Sequence, residues 1–258
     1  MPGSSQSISG PNIMLNAAVA DVLEGFADEL EAAIRDGSKP GEAAYALIRH
    51  TVREHRRIIF NGNGYDESWL REAVEVRGLS DLRTTPECLA RLLCEKNVSM
   101  LERHGVYSEA ELVSRRDISL DNYCRTLFIE ARTMSSMAGR QILPAVQDRL
   151  ASVASGLTAR SAAGFPAGEA EMESFGELSG LSNGMRTALA KLGGELSICE
   201  SMMGRDGKPD LAAAAERVRS GLIPAMEELR ELCDAAELEM PKELWPFPGY
   251  DDLLFGVR

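Results

Sequence analysis

Aromatic side chains and long apolar runs are scarce in this sequence of 258 residues. Phe, Trp and Tyr make up only 5% of the chain, whereas Ala, Leu, Glu and Arg are abundant, a composition that favours helices over sheets. No apolar run approaches the roughly 18 residues that a membrane-spanning helix needs, so we expect no membrane span. Strict alternation of apolar and polar residues, the pattern of a half-buried strand, is also missing. The sequence therefore predicts an all-α fold.

Basic residues and paired cysteines are scarce as well. The 28 Lys and Arg residues face 40 Asp and Glu residues, which gives a formal net charge of −12. Nucleic acids and anionic membranes reward a basic surface, so neither is an expected partner. No C-x-x-C pair and no secretory segment is present, which predicts reduced, buried thiols in a cytoplasmic protein. The dispersed cysteines are Cys88, Cys94, Cys124, Cys199 and Cys233.

The glycine-rich stretch N-G-N-G, Asn61–Gly64, lacks the features of a nucleotide-binding loop. It contains neither G-x-x-x-x-G-K-[ST] nor G-x-G-x-x-G, and it follows a segment with helical rather than strand periodicity. We therefore favour a structural role over phosphate binding. In that role Gly62 and Gly64 adopt positive φ after a helix end, while the asparagines hydrogen-bond to the local backbone.

No catalytic, cofactor-binding or metal-binding residue can be named from the sequence. His50 and His55 are five residues apart, so they diverge around a helix and cannot share a metal. His104 precedes a glycine at a predicted helix end, which suits a capping role. Three arginines near His55 could hold a phosphate or carboxylate, although a solvated helix face or a contact to an acidic partner is the default interpretation. They are Arg53, Arg56 and Arg57.

The first half of the chain is predicted to form an irregular leader and then a series of helices. Residues 1–12 are small and polar, and Asn12 can cap the first helix. That helix has one apolar stripe, and a second helix has another. Asp66 and the S-x-x-E box at Ser108 are predicted N-caps. Helices are predicted to stop at Gly37, Gly78 and Gly105. Residues Pro86–Arg103 are predicted to form one helix. The two stripes are Leu15, Val19, Val22, Phe26, Leu30 and Ala33, and Ala44, Ile48, Val52, His55 and Ile59.

The second half predicts an antiparallel bundle of long helices. One apolar face runs from Leu120 to about Ser155, with a kink at Pro144, and Gly156–Gly168 is a predicted loop. Residues 170–238 form a long α-hairpin that turns at Arg205–Asp210 and tolerates Pro224. The helical domain thus covers residues 13–258 and ends in a docking tail, residues 239–258.

Within that tail, the segment W-P-F-P-G-Y-D-D-L-L-F, Trp245–Phe255, concentrates much of the scarce aromatic surface of the chain. Its two prolines favour an extended arm that cannot form a helix. Large apolar side chains need a surface to cover them, so we expect the arm to dock in a groove. A groove on the same bundle is the preferred interpretation, and a neighbouring subunit or domain is the alternative.

Several segments, in order along the chain, resemble the C-terminal region of type III glutamine synthetases. The resemblance covers essentially the whole chain and is weakest in Ser155–Leu238. Residues 4–16 resemble the segment that follows the last core strands of the catalytic barrel in that family. The other matching segments are H-R-R-I-I-F-N-G-N-G-Y (His55–Tyr65), R-D-I-S-L-D-N-Y-C-R-T-L-F-I-E-A-R-T-M (Arg116–Met134), A-G-R-Q-I-L-P-A-V (Ala138–Val146) and W-P-F-P-G-Y-D-D-L-L-F (Trp245–Phe255).

The resemblance implies a parent enzyme that joins glutamate and ammonia at the expense of ATP, with Mg²⁺ or Mn²⁺. The family builds its site from a β-grasp domain and a catalytic barrel, in stacked rings of subunits. This sequence contains no motif of either part, so the family's catalytic residues have no positions here. We expect the chain to be a fragment, a split gene product or a truncated reading frame that is inactive alone. Its expected role is structural or in assembly, and its expected partners are the catalytic portion or neighbouring subunits of a homo-oligomer. The alternative is a stand-alone helical interaction module derived from that enzyme.

Overall fold

The computed structural model describes residues 7–204 and 209–256, and every regular element within these ranges is helical. The predicted all-α fold class is therefore confirmed. The chain divides into two compact units, unit 1 at Met1–Arg116 and unit 2 at Asp117–Arg258. Across the same two ranges, no helix combines the length and apolarity needed to cross a membrane.

Unit 1 is built from short and medium helices around a small core. Helix α1 packs against both α2 and α5. The buried centre consists of Ala17, Leu101 and Leu112, and half-buried apolar side chains from α1, α4 and α5 surround it. The helices are α1 (Ser9–Arg35), α2 (Pro40–Glu54), α3 (Glu67–Arg71), α4 (Thr85–Leu92), α5 (Glu95–Arg103) and the first turns of α6 (Glu109–Met137). A 3-10 turn, Arg56–Ile58, follows α2, and a π turn, Glu72–Val76, extends α3.

Two of the predicted N-caps of unit 1, at Asp66 and Ser108, are confirmed. Asp66 accepts a hydrogen bond of 2.9 Å from the Ser68 backbone N–H. The Ser108 backbone N–H donates to the Glu111 carboxylate at 2.8 Å, as the S-x-x-E box predicts. These bonds lower the pKa of Asp66 and the pKa of Glu111, because they stabilise the charged carboxylates. The predicted stops have positive φ: 99° at Gly37, 64° at Gly78 and 62° at Gly105.

Two predictions for unit 1 are wrong in detail. Helix α1 begins at Ser9, inside the predicted irregular leader, and not at Asn12. Pro11 does not delay it, because the first backbone N–H groups of a helix have no intrahelical acceptor. The helix predicted from Pro86 to Arg103 is two helices, because Cys94 has extended backbone angles between α4 and α5. The amide of Asn97 donates to the Arg91 carbonyl at 2.9 Å and so satisfies a carbonyl at the break.

Unit 2 is a bundle of three long helical rods, as predicted. The first rod continues from α6 through a π turn, Ala138–Ile142, into α7 (Leu143–Ala162). The second is α8 (Glu169–Met202). The third runs from α9 (Leu211–Arg217) through a π turn, Val218–Leu222, into α10 (Ile223–Glu239). Most of the predicted turn at Arg205–Asp210, residues 205–208, lies outside the described residues.

The core of unit 2 lies along α8, which packs against α7, α9 and α10. Large side chains with no exposed surface come from all three rods. Ion pairs join the rods at the periphery: Arg132 with Glu200 at 2.6 Å, and Arg217 with Glu195 at 2.6 Å. The fully buried larger side chains include Cys124, Val146, Met185, Leu192, Cys199, Val218, Leu222 and Leu229.

The two interrupting prolines have the same local structure. Pro144 and Pro224 each lie two residues after a five-residue π turn. Proline has no backbone N–H, and its ring clashes with the carbonyl four residues earlier in a regular α-helix. A local π turn changes that pairing, so each rod continues past its proline. The similar segments Q-I-L-P-A-V and G-L-I-P-A-M therefore share a structural device, whether or not they share an origin.

Two further boundaries differ from the predictions. Helix α7 continues through Gly156 to Ala162, so the loop is limited to residues 163–168. A single glycine costs a helix only about 1 kcal/mol relative to alanine, which the flanking turns offset. The tail is not extended throughout, because Tyr250–Phe255 form helix α11. All three prolines of the tail precede the N-cap of α11, Gly249, whose N–H donates to Asp252 at 3.0 Å, so none of them interrupts this helix.

Candidate functional site

The base of the glycine-rich loop is fixed by two stacked aromatic rings. Phe60 and Trp69 lie with their ring centroids 3.7 Å apart, on either side of the loop. The Arg77 guanidinium lies 4.7 Å from the Trp69 ring centroid. Arg77 also donates to the Ile59 carbonyl at 2.8 Å. Stacking, cation–π contact and hydrogen bonding therefore hold both ends of the loop together.

Within this loop, the prediction of positive φ at Gly62 and Gly64 is wrong: neither glycine adopts it. Gly62 is needed for another reason, since a Cβ there would lie 2.7 Å from Cζ of Phe60. Gly64 has open space around it. The expected local asparagine bond is present, because Asn63 accepts from the Tyr65 backbone N–H at 3.1 Å. The glycine at position 62 thus serves the packing of the aromatic pair.

The histidines are separated in the structure. His104 is the C-cap residue of α5, as predicted. Its Nε2 lies 3.0 Å from Oδ1 of Asp21 and 3.6 Å from Oε2 of Glu24 on α1. His50 instead pairs with Glu54 within α2, at 3.2 Å.

One imidazole and two carboxylates, all within 4.8 Å of one another, are a donor set that a divalent cation could use. Asp21, however, already accepts from both Arg103 and His104, and these bonds lower the pKa of its carboxyl. The arrangement is fully accounted for as an ion-pair network that joins α1 to α5.

The cysteines are all free, but only three of the five are buried. Burial raises the pKa of Cys124, Cys199 and Cys233 to about 11, so these thiols stay protonated and unreactive near neutral pH. Cys94 is half-buried and Cys88 is exposed, which corrects the prediction that all five are buried.

The arginines near His55 lie at the end of α2 and in the following 3-10 turn. All three are exposed, and within the described residues none of them forms an ion pair. The structure brings no further functional side chain to them, so both earlier interpretations of this basic group remain. The three are Arg53, Arg56 and Arg57.

The apolar stripes of α1 and α2 are largely exposed, although their pattern is that of core residues. On α1, 69% of Leu15, 54% of Val19 and 51% of Val22 remain accessible to solvent. Helix α1 buries a different face, centred on Met14, Ala17 and Asp21. On α2, Tyr45, Ile48 and Val52 are exposed in the same way, while Ala43 is buried. We call the α1 residues Leu15, Val19, Val22 and Leu23 the α1 stripe.

Unit 2 contains a cavity of about 560 Å³ between α6, α10 and the tail. The tail contributes Trp245 and Phe247, which meet edge to face with centroids 6.1 Å apart. The first part of the tail thus lies against its own bundle. Helix α11 beyond it exposes Tyr250, Leu253, Leu254 and Phe255. The other apolar walls are Ile129, Met134, Met137, Ala138, Ile142, Met226 and Cys233.

Comparison with known proteins shows similarity to glutamine synthetases. Residues 43–160 match the family described as glutamine synthetase C-terminal domain. The chain is 28% identical over 258 residues to the type-3 glutamine synthetase of Dictyostelium discoideum, a match that covers 98% of this chain and 34% of that protein. It is 27% identical over 264 residues to the glutamine synthetase of Bacteroides fragilis (strain YCH46), a match that covers 98% of this chain and 34% of that protein. A glutamine synthetase from Butyrivibrio fibrisolvens is 27% identical over 223 residues, a match that covers 86% of this chain and 31% of that protein.

The chain thus spans about a third of the length of the curated relatives that it matches. The matches extend over both units, and the family match alone includes α3 to α6 and most of α7. The chain is therefore similar along nearly its whole length to glutamine synthetases, type 3 among them, and its residues 43–160 match the family described as glutamine synthetase C-terminal domain.

Proposed function

We propose that the chain is the helical C-terminal portion of a type III glutamine synthetase, with a structural and assembly role, and that it is inactive alone. The similarity to type-3 enzymes and the all-helical fold support the proposal. In this role the chain supports the catalytic portion and takes part in subunit contacts of a homo-oligomer in the cytoplasm. We expect ATP and Mg²⁺ or Mn²⁺ to bind to the catalytic portion and not to this chain.

The exposed α1 stripe is the observation that carries the proposal. Helix α1 is apolar on the face that packs against α5 and apolar again on the stripe. A helix that is apolar on more than one face is normally buried on each of them. Burying a Val or Leu side chain stabilises an assembly by about 1.5–3 kcal/mol, so the stripe is a strong driving force for docking. The catalytic portion, or a neighbouring subunit, is the surface that we propose covers it.

The proposal is tested first with the pure chain. We expect no ATP-dependent glutamine formation, and we expect self-association by light scattering, because the uncovered stripe is available to other copies. Replacing Val19 and Val22 with Asp should give a monomer with unchanged helicity, since both side chains are exposed. The matched control replaces Ala20 and Ala27 with Asp, at exposed positions of the same helix outside the stripe.

A chimera provides the second test. In it, this chain replaces the matching segment of the Bacteroides fragilis enzyme. We expect the chimera to assemble and make glutamine. The control substitutions at Ala20 and Ala27 should leave it active, whereas the stripe substitutions at Val19 and Val22 should abolish assembly. Robust turnover by the isolated chain would contradict the proposal. A stable monomer that neither self-associates nor supports a chimera would favour a stand-alone interaction module instead.

A further inference from the structure

The cavity in unit 2 has the size and lining of a small-molecule site. Its volume of about 560 Å³ lies in the range of roughly 300–1,000 Å³ that ligand pockets occupy. Its walls come from three segments that are distant in sequence, α6, α10 and the tail. Ile129 and Met137 are exposed at its edge, so the cavity is open to solvent there.

The lining is apolar and adaptable. Met134, Met137 and Met226 contribute flexible, polarizable thioethers, and Trp245 and Phe247 contribute flat rings. Methionines next to aromatic rings accommodate hydrocarbon groups of different shapes. The Thr133 hydroxyl already donates to the Ile129 carbonyl at 2.8 Å, so it places no fixed demand on a ligand. The apolar body of a ligand would be an aryl ring or a short alkyl chain.

The charges around the cavity select the sign of a ligand. The Arg230 Nε donates to both carboxylate oxygens of Asp234, at 2.7 and 2.8 Å, so these two charges offset each other. Glu130 and Glu237 also line the cavity, and within the described residues neither forms an ion pair. Three carboxylates thus line the apolar cavity against the single guanidinium of Arg230, which is close enough to act on Glu237 as well as on Asp234. They attract a positive ligand and repel a negative one.

We infer that this cavity binds small organic cations in which a protonated amine is attached to an aryl or alkyl group. The hydrocarbon part lies against the methionines and Trp245, and the ammonium faces Glu130 and Glu237. This inference does not depend on the proposed function, because the walls of the cavity belong to unit 2 alone.

Trp245 provides the readout, since Trp69 is the other tryptophan of the chain. In a Trp69→Phe background, which keeps an aromatic ring against Phe60, the fluorescence reports on Trp245 alone. We expect 2-phenylethylamine to change it saturably, with a dissociation constant on the order of 1 mM or below. The anion 3-phenylpropanoate should bind at least about tenfold more weakly than the amine. Added salt should weaken the binding of the amine, because it screens the attraction between the ammonium and the carboxylates.

Charge-neutral variants test the role of the carboxylates. Glu130→Gln and Glu237→Gln should each weaken amine binding about two- to fivefold without changing the fold, because both side chains are exposed. Glu227→Gln, on the same helix α10 but outside the cavity, is the matched control and should have no effect. Equal binding of amine and carboxylate, or no saturable change up to about 10 mM of amine, would overturn the inference.

Discussion

Replacing Gly221 with alanine tests how closely α8 packs against the third rod of unit 2. Gly221 lies in the π turn Val218–Leu222. A Cβ at this position would overlap Oε2 of Glu195 and lie 3.0 Å from Nε of Arg217. Glu195 and Arg217 form an ion pair with 2.6 Å between Oε1 and Nη2. The added methyl group therefore has to displace a charged partner that is held in place.

The size of the effect follows from two opposing contributions. Alanine in place of glycine favours a helix by about 1 kcal/mol. Disturbing this ion pair costs roughly 2–3 kcal/mol. The cost is lower than that of disturbing a fully buried pair, because 39% of the Arg217 side chain and 17% of the Glu195 side chain remain exposed. We therefore expect Gly221→Ala to lower the free energy of unfolding by about 1–2 kcal/mol and the Tm by about 3–6 °C. Gly193→Ala on α8, where nothing lies within 4 Å of the added Cβ, should instead raise the Tm slightly.

The assay is thermal unfolding followed by circular dichroism, within a double-mutant cycle. In a Glu195→Ala background the nearer obstacle is gone and Arg217, no longer held by its ion pair, can move away from the methyl group, so Gly221→Ala should become neutral or stabilising. The change of sign separates the contact with Glu195 from any intrinsic intolerance of the π turn. Equal destabilisation with and without Glu195 would refute the reasoning.

Three further predictions follow from unit 1. The hydrogen bond from Arg103 lowers the pKa of Asp21 below the ordinary value of 3.8. The Asp21 carboxylate therefore stabilises the fold fully above that value, and the stabilisation is lost as the pH falls through the lowered pKa. The Tm difference between wild type and Asp21→Asn should be present at pH 7 and vanish in strong acid. Cys88 should react with a thiol reagent before any other cysteine, and the three buried thiols only after denaturation, as mass spectrometry would show. Gly62→Ala should lower the Tm and alter Trp69 fluorescence by displacing the Phe60 ring, whereas Gly64→Ala, with open space around it, should do neither.

The helices and their caps could be predicted because their causes are local. The bonds at Asp66 and Ser108 join residues two or three positions apart, so the sequence alone specifies them. The sequence predicts positive φ at Gly62 for the same kind of local reason. Its actual role depends on the Phe60 ring, which is oriented by Trp69, nine residues away in sequence.

The candidate surfaces were less predictable, because burial depends on partners that periodicity does not name. The α1 stripe has the spacing of a core face, and the structure leaves it exposed while Ala17 is buried and Met14 is half-buried. The cavity was also hidden, since Met134, Met226 and Trp245 are scattered over more than a hundred residues. The excess of apolar residues around α1 was the one signal that could have shown that this helix needs two partners.

The π turns before the prolines of unit 2 set the rotational phase of everything that follows them. Each turn adds one residue relative to an α-helix, and one residue corresponds to a rotation of about 100° around the axis. A π turn absorbs this extra residue, so deleting Gly139 would return the first rod to regular α-helical spacing and keep the rotational position of α7 relative to α6. Val146, which is fully buried, would stay in the core, but Pro144 would then meet the carbonyl oxygen four residues before it. In homologous sequences we therefore expect single-residue gaps at these two turns to be matched by a change at the proline.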